Sequence, residues 1–530
     1  MRGAGLLIVA GWDRLKLALV SVLSQARNRV EAQQGRTATA SAEYVRILYI
    51  GAAKITIPKN ALMADATITH PIGAENAAAL AANPLLVAPI LPTLLRLSLP
   101  NVLAMLVSVL VGIAETWYIG VLGTTPLAAM ALVFPFSMLT QMMSAGAMGG
   151  GVSSAISRAL GARDKARAQT LAFHALAICI VIGILYAVLF LAFGPLLYRI
   201  LGGRDAVLAE ATRFSNVLFC GAMFVWVMNG LAAVLRGTGN MRVPSVTILS
   251  SSLVQIVVGG AFGLGLGPIP RLGMPGVAIG SIVAFGGGSL FLLWYLVSGK
   301  GLLHLQLRGV KLQWPMFADI LKVGALACLA PLQSVLTILI FTGLIARLGM
   351  TPLAGYGIGQ RLEFLLIPIA FGVGVASVPM VGMAIGAGKV ARARRVAWTA
   401  GAVSAFNLAV VGAVVSLFPL LWAGIFSSDP QVLEAASQYL RWAGPAFGFF
   451  GLGTTLYFAS QGSGKVLGPV LASTLRLALV ALVGAWLASF VTEAWPYFAL
   501  VGAAMVTFGL STVAAVRLTT WGPTRARSAS

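Results

Sequence analysis

The chain has 530 residues, 59% of them hydrophobic and only 9% charged, with a formal net charge of +22. Soluble domains carry about 25% charged residues, so this composition excludes a water-facing globule and places the chain in a lipid bilayer. The excess positive charge lies in short loops and the first sixty residues, with no aromatic-interleaved basic patch, which excludes nucleic acid as a partner and leaves orientation and anionic head groups as its role.

Residues 1–90 carry nine Lys/Arg and only short apolar pieces such as "LKLALVSVLS". They read as an N-terminal extension outside the working fold, or as an amphipathic surface segment. Met63 opens "MADATITHP", a polar lead-in, so residues 1–62 are read as lying upstream of the natural start. Beyond it, apolar runs broken by Gly, Pro and charge predict twelve helices, at 94–120, 126–158, 170–197, 206–234, 244–266, 275–298, 319–346, 352–386, 397–423, 432–459, 466–490 and 496–516. Such runs suit a hydrocarbon layer ~30 Å thick, and the short alternating segments of a membrane β-barrel are absent.

The loops sort by charge. "RDKAR" (163–167), "RGTGNMR" (236–242), "KGLLHLQLRGVK" (300–311), "GKVARARR" (388–395), "GSGK" (462–465) and "RARS" (525–528) alternate with cation-poor loops such as "GVLGTTP", "RLGMTP" and "TEAWP". The positive-inside rule puts the first set and both ends of the bundle in the cytoplasm. The chain is therefore predicted to be a multi-pass protein of the plasma membrane, the inner membrane in a bacterium.

The sequence also repeats. "LGTTPLAAM" (122–130) returns as "LGMTPLAGY" (348–356), "GARDKARA" (161–168) as "GAGKVARA" (386–393), and "RGTGNMRVP" (236–244) as "QGSGKVLGP" (461–469), at a steady offset of 225 or 226. Six spans per repeat is an even number, so both halves enter the membrane alike, and a site between them is the arrangement of transporters. The predicted fold is an all-α membrane protein of twelve transmembrane helices in two parallel-repeat six-helix bundles, 91–314 and 315–518, with a tail at 519–530. No filter-like carbonyl loop or acid ring suggests a channel.

Polar groups within spans are the candidates for chemistry. Glu115, in "VGIAETWYIGVLG" (111–123), is an acid near the end of a hydrocarbon-length run. An ionised carboxylate mid-helix costs roughly 2.5–3.5 kcal/mol, and burial penalises its charged form, so it is a candidate proton-binding group; snorkelling to the outer surface is the alternative. Helix 8 carries Gln360, Arg361 and Glu363; the two charges stand about 200° apart around the helix and would each seek a partner elsewhere, such as Gln333, for coupling, gating or an inter-helix bond. Trp117, Tyr118, Phe134, Phe136, Trp226 and Tyr356 offer π faces for an amphiphile, as interfacial anchors also do. Gln141, Gln255, Gln333 and Gln360 complete the substrate-cavity assignment. "SAGAMGGGVSSA" (144–155) reads as a close helix contact, and Pro100, Pro135, Pro331, Pro368 and Pro445 as kinks or hinges. Cys179, Cys220 and Cys328 have neither CxxC nor Cys/His spacing and read as buried thiols.

Across about 92–516 the chain resembles the multidrug and toxic compound extrusion (MATE) family. The likeness rests on "AETWYIGVLG", "GGGVSSAISRALGARD" and "LRGTGNMRVP", then "YGIGQRLEFLLIPIAFGVGVASVPMVGMAIGAG" and "ASQGSGK". It implies export of organic cations and other amphipathic compounds against inward H⁺ or Na⁺, with no further cofactor and no metal site. It also implies coupling at Glu115, which takes the place of the acid in a "DTxxxG" pattern, and an Arg-x-Glu at Arg361 and Glu363 as in one branch. The stretch 253–268 lacks the second acid of well-defined N-half sites, with Gln255 the polar group in reach, and Gln333 and Ser334 stand where some sodium-coupled members have glutamate. The first departure favours H⁺ or a cation site in the other half, and the second weighs against Na⁺. At the repeat offset Glu115 falls on Phe341, so the halves carry their charge on different helices.

The expectation is an antiporter, read as a monomer. A lipid-linked saccharide flippase is the second reading; Arg96, Lys322, Arg361, Arg441 and Arg476 are the cations available to such a cavity. No HExxH, intramembrane Asp pair, Ser/His set or nucleotide loop suggests an enzyme.

Overall fold

The computed structural model describes residues 83–266, 268–306 and 310–522; the readings placed on residues 1–82 and on the tail beyond 522 lie outside them. Among the described residues the elements are all helical. They run α1 (Pro84–Val87), α2 (Ile90–Leu122), α3 (Thr124–Gln141), a π-helical turn (Met142–Met148), α4 (Gly149–Gly161), α5 (Lys165–Ile200), α6 (Asp205–Cys220) and α7 (Ala222–Gly237). Then come α8 (Arg242–Leu264), α9 (Met274–Val297), α10 (Trp314–Ala327), α11 (Leu329–Ala346), α12 (Met350–Gly386) and α13 (Val390–Leu417). The short α14 (Leu420–Ala423), α15 (Pro430–Ala443), a 3₁₀ turn (Gly444–Ala446), α16 (Phe447–Ser463), α17 (Leu467–Phe490) and α18 (Trp495–Leu518) complete the chain.

Each of the twelve predicted stretches is helical, eight as one element and four as two consecutive ones: α3 with α4, α6 with α7, α10 with α11, and α15 with α16. By length and composition ten of them, or eleven with the bent α6–α7 pair, suffice to cross a membrane among the described residues. The breaks have identifiable causes. Gly221 separates α6 from α7 at a bend of 42°, Pro331 follows the step at Cys328, and Pro445 sits in the 3₁₀ turn. Pro100, Pro135 and Pro368 lie inside continuous helices. Large apolar side chains such as Leu185, Phe406, Leu482 and Trp486 cover the outer faces, as a hydrocarbon solvent requires.

The repeat is visible in the backbone. Gly123 (φ 131°) and Gly349 (φ 111°) break the chain before α3 and α12, and Gly239 (φ 88°) and Gly464 (φ 77°) lie in the loops after α7 and α16. In the third pair Gly388 (φ 72°) matches Arg163 (φ 64°), a left-handed residue with a side chain, which costs about 1 kcal/mol relative to glycine. All three pairs keep the offset found in the sequence.

Two expectations change. The end of the presumed extension belongs to the fold: Leu85 is buried against Gly239, and Arg392 donates to the carbonyls of Leu85 (3.1 Å) and Ala88 (2.6 Å), closing the end of α1. Of the three free cysteines Cys179 is buried and Cys328 half-buried, but Cys220, the last residue of α6, is exposed.

Candidate functional site

In the first half Glu115 lies on α2 opposite α8 and α9. Those two helices cross at Gly259 and Gly280, where a Cβ on Gly280 would come within 2.5 Å of the Gly259 backbone. This approach, which only glycine allows, brings Gln255 and Ser281 together one turn or less away. Gln255 Nε2 donates to Glu115 Oε1 (2.7 Å) and Ser281 Oγ (3.0 Å), and Ser281 Oγ reaches the same carboxylate oxygen at 3.3 Å. Tyr118, one turn on, is buried, packs on Gly260 and donates to the carbonyl of Ile256 (3.1 Å), which fixes the rotation of α2 against α8. Glu115 is half-buried and turned into the bundle, not snorkelled to the surface. One carboxylate, one amide and one hydroxyl make a cluster that can hold a proton or donate oxygens to a small cation; Gln255 was legible as the partner, Ser281 was not.

A cavity lies between the halves and encloses about 1130 Å³ of empty space, its open mouth included. Met138, Met142, Gly146 and Ala147 line it from the first half, and α11, α12, α16, α17 and α18 from the second. Its wall is apolar and aromatic, with one acid, Glu363, and one cation, Arg476. Glu363 Oε1 accepts from the Tyr439 hydroxyl. Tyr439 stacks edge-on with Tyr356 (centroids 5.6 Å), whose hydroxyl accepts from Gln360 Nε2 at 3.2 Å. Glu115 does not line this cavity.

Of the nine side chains assigned to a substrate cavity, Tyr356 lines it and eight do not. Trp226 is fully buried against Gly183 and Tyr186, so it is core. Tyr118 and Gln255 belong to the Glu115 cluster, Trp117 is half-buried edge-on to Tyr118, and Phe134 is exposed. Gln141 accepts from Asn229 Nδ2 (2.9 Å), which also donates to Ser144 (2.8 Å) across the π turn. Gln333 donates to Thr474 (2.7 Å) rather than to either charge of helix α12, and Gln360 holds Tyr356. Arg361 is exposed and lies over the Phe426 ring (5.1 Å), away from Glu363, as their spacing around the helix requires. Of the five cations weighed for a flippase-like cavity, only Arg476 is in the wall.

From the cavity toward the basic loops the two halves mesh. A Cβ on Gly161 would strike the Met383 carbonyl, one on Gly386 the Arg158 carbonyl, and one on Gly151 the backbone of Gly324 at 2.7 Å. Ser154 donates to the Gln461 carbonyl and accepts from Arg158. Arg158 also reaches Asp319 Oδ1 (2.6 Å), while Arg167 reaches Asp319 Oδ2 (2.8 Å). His174, fully buried, accepts at Nε2 from the Gln313 amide (2.9 Å) and bonds the Thr170 carbonyl at Nδ1 (2.8 Å). Two arginines and a histidine of the first half thus grip the start of α10. Sequence reading missed this seam because its partners are more than 130 residues apart.

The model of the MatE family matches residues 100–259 and again 327–487. Among curated proteins, the FAD transporter of Shewanella oneidensis is 26% identical over 418 residues, covering 77% of this chain and 90% of that protein. The probable multidrug resistance protein NorM of Thermotoga maritima is 25% identical over 380 residues, 71% of this chain and 81% of the relative. A solved MOP superfamily transporter from Pyrococcus furiosus superposes with a TM-score of 0.76 at 24% identity, over 82% of this chain and 97% of its own.

Proposed function

The chain belongs to the MatE family of transporters, and from that premise we propose that it is a secondary antiporter of the cell membrane. It exports cationic and amphipathic small molecules in exchange for H⁺ or Na⁺ by alternating access, as a monomer with both ends in the cytoplasm. The observation that carries the coupling is the Glu115 carboxylate, held inside the first half by Gln255 (2.7 Å) and Ser281 (3.3 Å), with no cation of an ion pair upon it among the described residues.

A proton arriving from outside neutralises Glu115 and removes the charge that Gln255 and Ser281 were holding. The packing of α2 against α8 and α9 then relaxes, and the affinity of the inter-half cavity for its solute falls. The short polar set suits a proton better than a hard cation, which takes six or so oxygens. The test is efflux of a cationic dye from proteoliposomes under an imposed pH gradient, with a Na⁺ gradient as the second arm. Glu115→Gln keeps the hydrogen bonding and removes the titration, so pH-driven efflux drops at least tenfold in protein that still purifies as one species. Undiminished pH-driven efflux by that variant removes Glu115 from the mechanism.

A further inference from the structure

We propose that the cavity between the halves receives aromatic solutes carrying an acidic group, alone or as zwitterions, and that Arg476 is the residue on which that group docks. This rests on the export reading above and narrows its substrate class beyond cations.

Arg476 stands on α17 in a mainly apolar wall that also holds Glu363, and it is 7% exposed. Its Nη2 donates to Ser334 Oγ (2.8 Å), its plane lies over the Phe508 ring (5.0 Å), and its Nε has no hydrogen-bond partner. A guanidinium has five donors, and among the described residues no carboxylate lies within ion-pair range of this one. Glu363, the acid in the same wall, acts on Arg476 through space without an ion-pair contact, and its Oε1 is engaged by Tyr439. A charge kept out of water without a counter-ion in contact is costly; among the described residues Arg236, 3% exposed, also has an unpartnered Nε, but it does not line the cavity. Because Arg476 lines the cavity, a partner for its free donors can arrive from that side. The planar fork fits a carboxylate through two parallel hydrogen bonds, and Phe364, Phe371 and Phe458 supply faces for an aromatic body. A single cation answers one acidic group. A polyanionic head group would outnumber it.

The probe is a matched pair of dyes, rhodamine 110 with a free carboxylate and rhodamine 123, its methyl ester. Binding is read by fluorescence anisotropy on the full chain in nanodiscs of zwitterionic lipid, so that no lipid carries an unpaired anion. The wild-type protein binds the acid at least fivefold tighter than the ester. Arg476→Gln abolishes that preference and leaves the ester within twofold, whereas Arg476→Lys, a point charge without the fork, keeps part of it. Equal affinity of the wild-type protein for both dyes overturns the proposal, as does an acid preference that survives Arg476→Gln. The wild-type comparison stands even if that variant fails to fold. If neither dye binds, the cavity is not a dye site, and the export reading fails along with this one; if both bind equally, only this one fails.

Discussion

Replacing Asp319 with Asn tests whether the meshed seam is an energetic latch between the halves. One carboxylate serves two arginines, with contacts of 2.6 Å and 2.8 Å and side-chain exposures of 23% for the acid, 18% for Arg158 and 46% for Arg167. The Arg158 arm is mostly shielded, so it contributes about 1.5 kcal/mol, the low end for a charge-assisted bond. The Arg167 arm is half in solvent and screened, and contributes about 0.5 kcal/mol. Asp319→Asn therefore costs about 2 kcal/mol, a roughly thirtyfold shift away from the arrangement with the seam closed. Spin labels at Ala166→Cys and Lys389→Cys, exposed on opposite sides of the seam, report it in a Cys220→Ser background as a gain of long distances by electron–electron resonance. Raising salt shortens the Debye length from about 10 Å at 0.1 M to 3 Å at 1 M, so it weakens the Arg167 arm in the wild type and changes the variant little. Unchanged distance distributions in Asp319→Asn would show that apolar meshing alone holds the seam.

Other consequences are as direct. Arg163→Gly relieves a left-handed residue whose counterpart in the second half is already glycine, and raises stability by about 1 kcal/mol; a thermal midpoint that falls contradicts the strain assignment. Gly161→Val drives a branched side chain into the Met383 carbonyl and costs about 1–3 kcal/mol as overpacking. It is read by hydrogen exchange, which quickens along 149–161 and the end of α12 but not in α2; unaltered exchange in both segments refutes the close contact.

Span positions were legible because apolar length is a direct statement about hydrocarbon thickness, and the repeat because left-handed glycines need glycine wherever the backbone turns. Glu115 stood out as an acid in an apolar run, and Gln255 as the polar group able to reach it; both do meet. Ser281 gave no signal, since serines in membrane helices usually bond their own backbone, as Ser108 does here. Trp226 went astray for a related reason: an aromatic side chain in a span fills a core as well as it lines a cavity, and only the close approach at Gly183 decides. Arg476 was weighed only as a cation for a flippase-like cavity, and Asp319 was missed because a charge near a helix end looks interfacial until the opposing helix is known. The partners of both lie across the fold, not along the chain.

The π turn at Met142–Met148 joins a cavity-lining stretch, Met138 to Ala147, to the glycine-rich α4 of the seam. Each residue of an α-helix advances its direction by about 100°. Winding the same seven residues as ordinary α-helix would thus swing Gly150, Ser154 and Gly161 off the surface they now meet while leaving α3 in place. The widened turn acts as a phase setter, clocking the solute-facing portion of one long rod against its interlocking portion, so that neither can be re-aimed without the other.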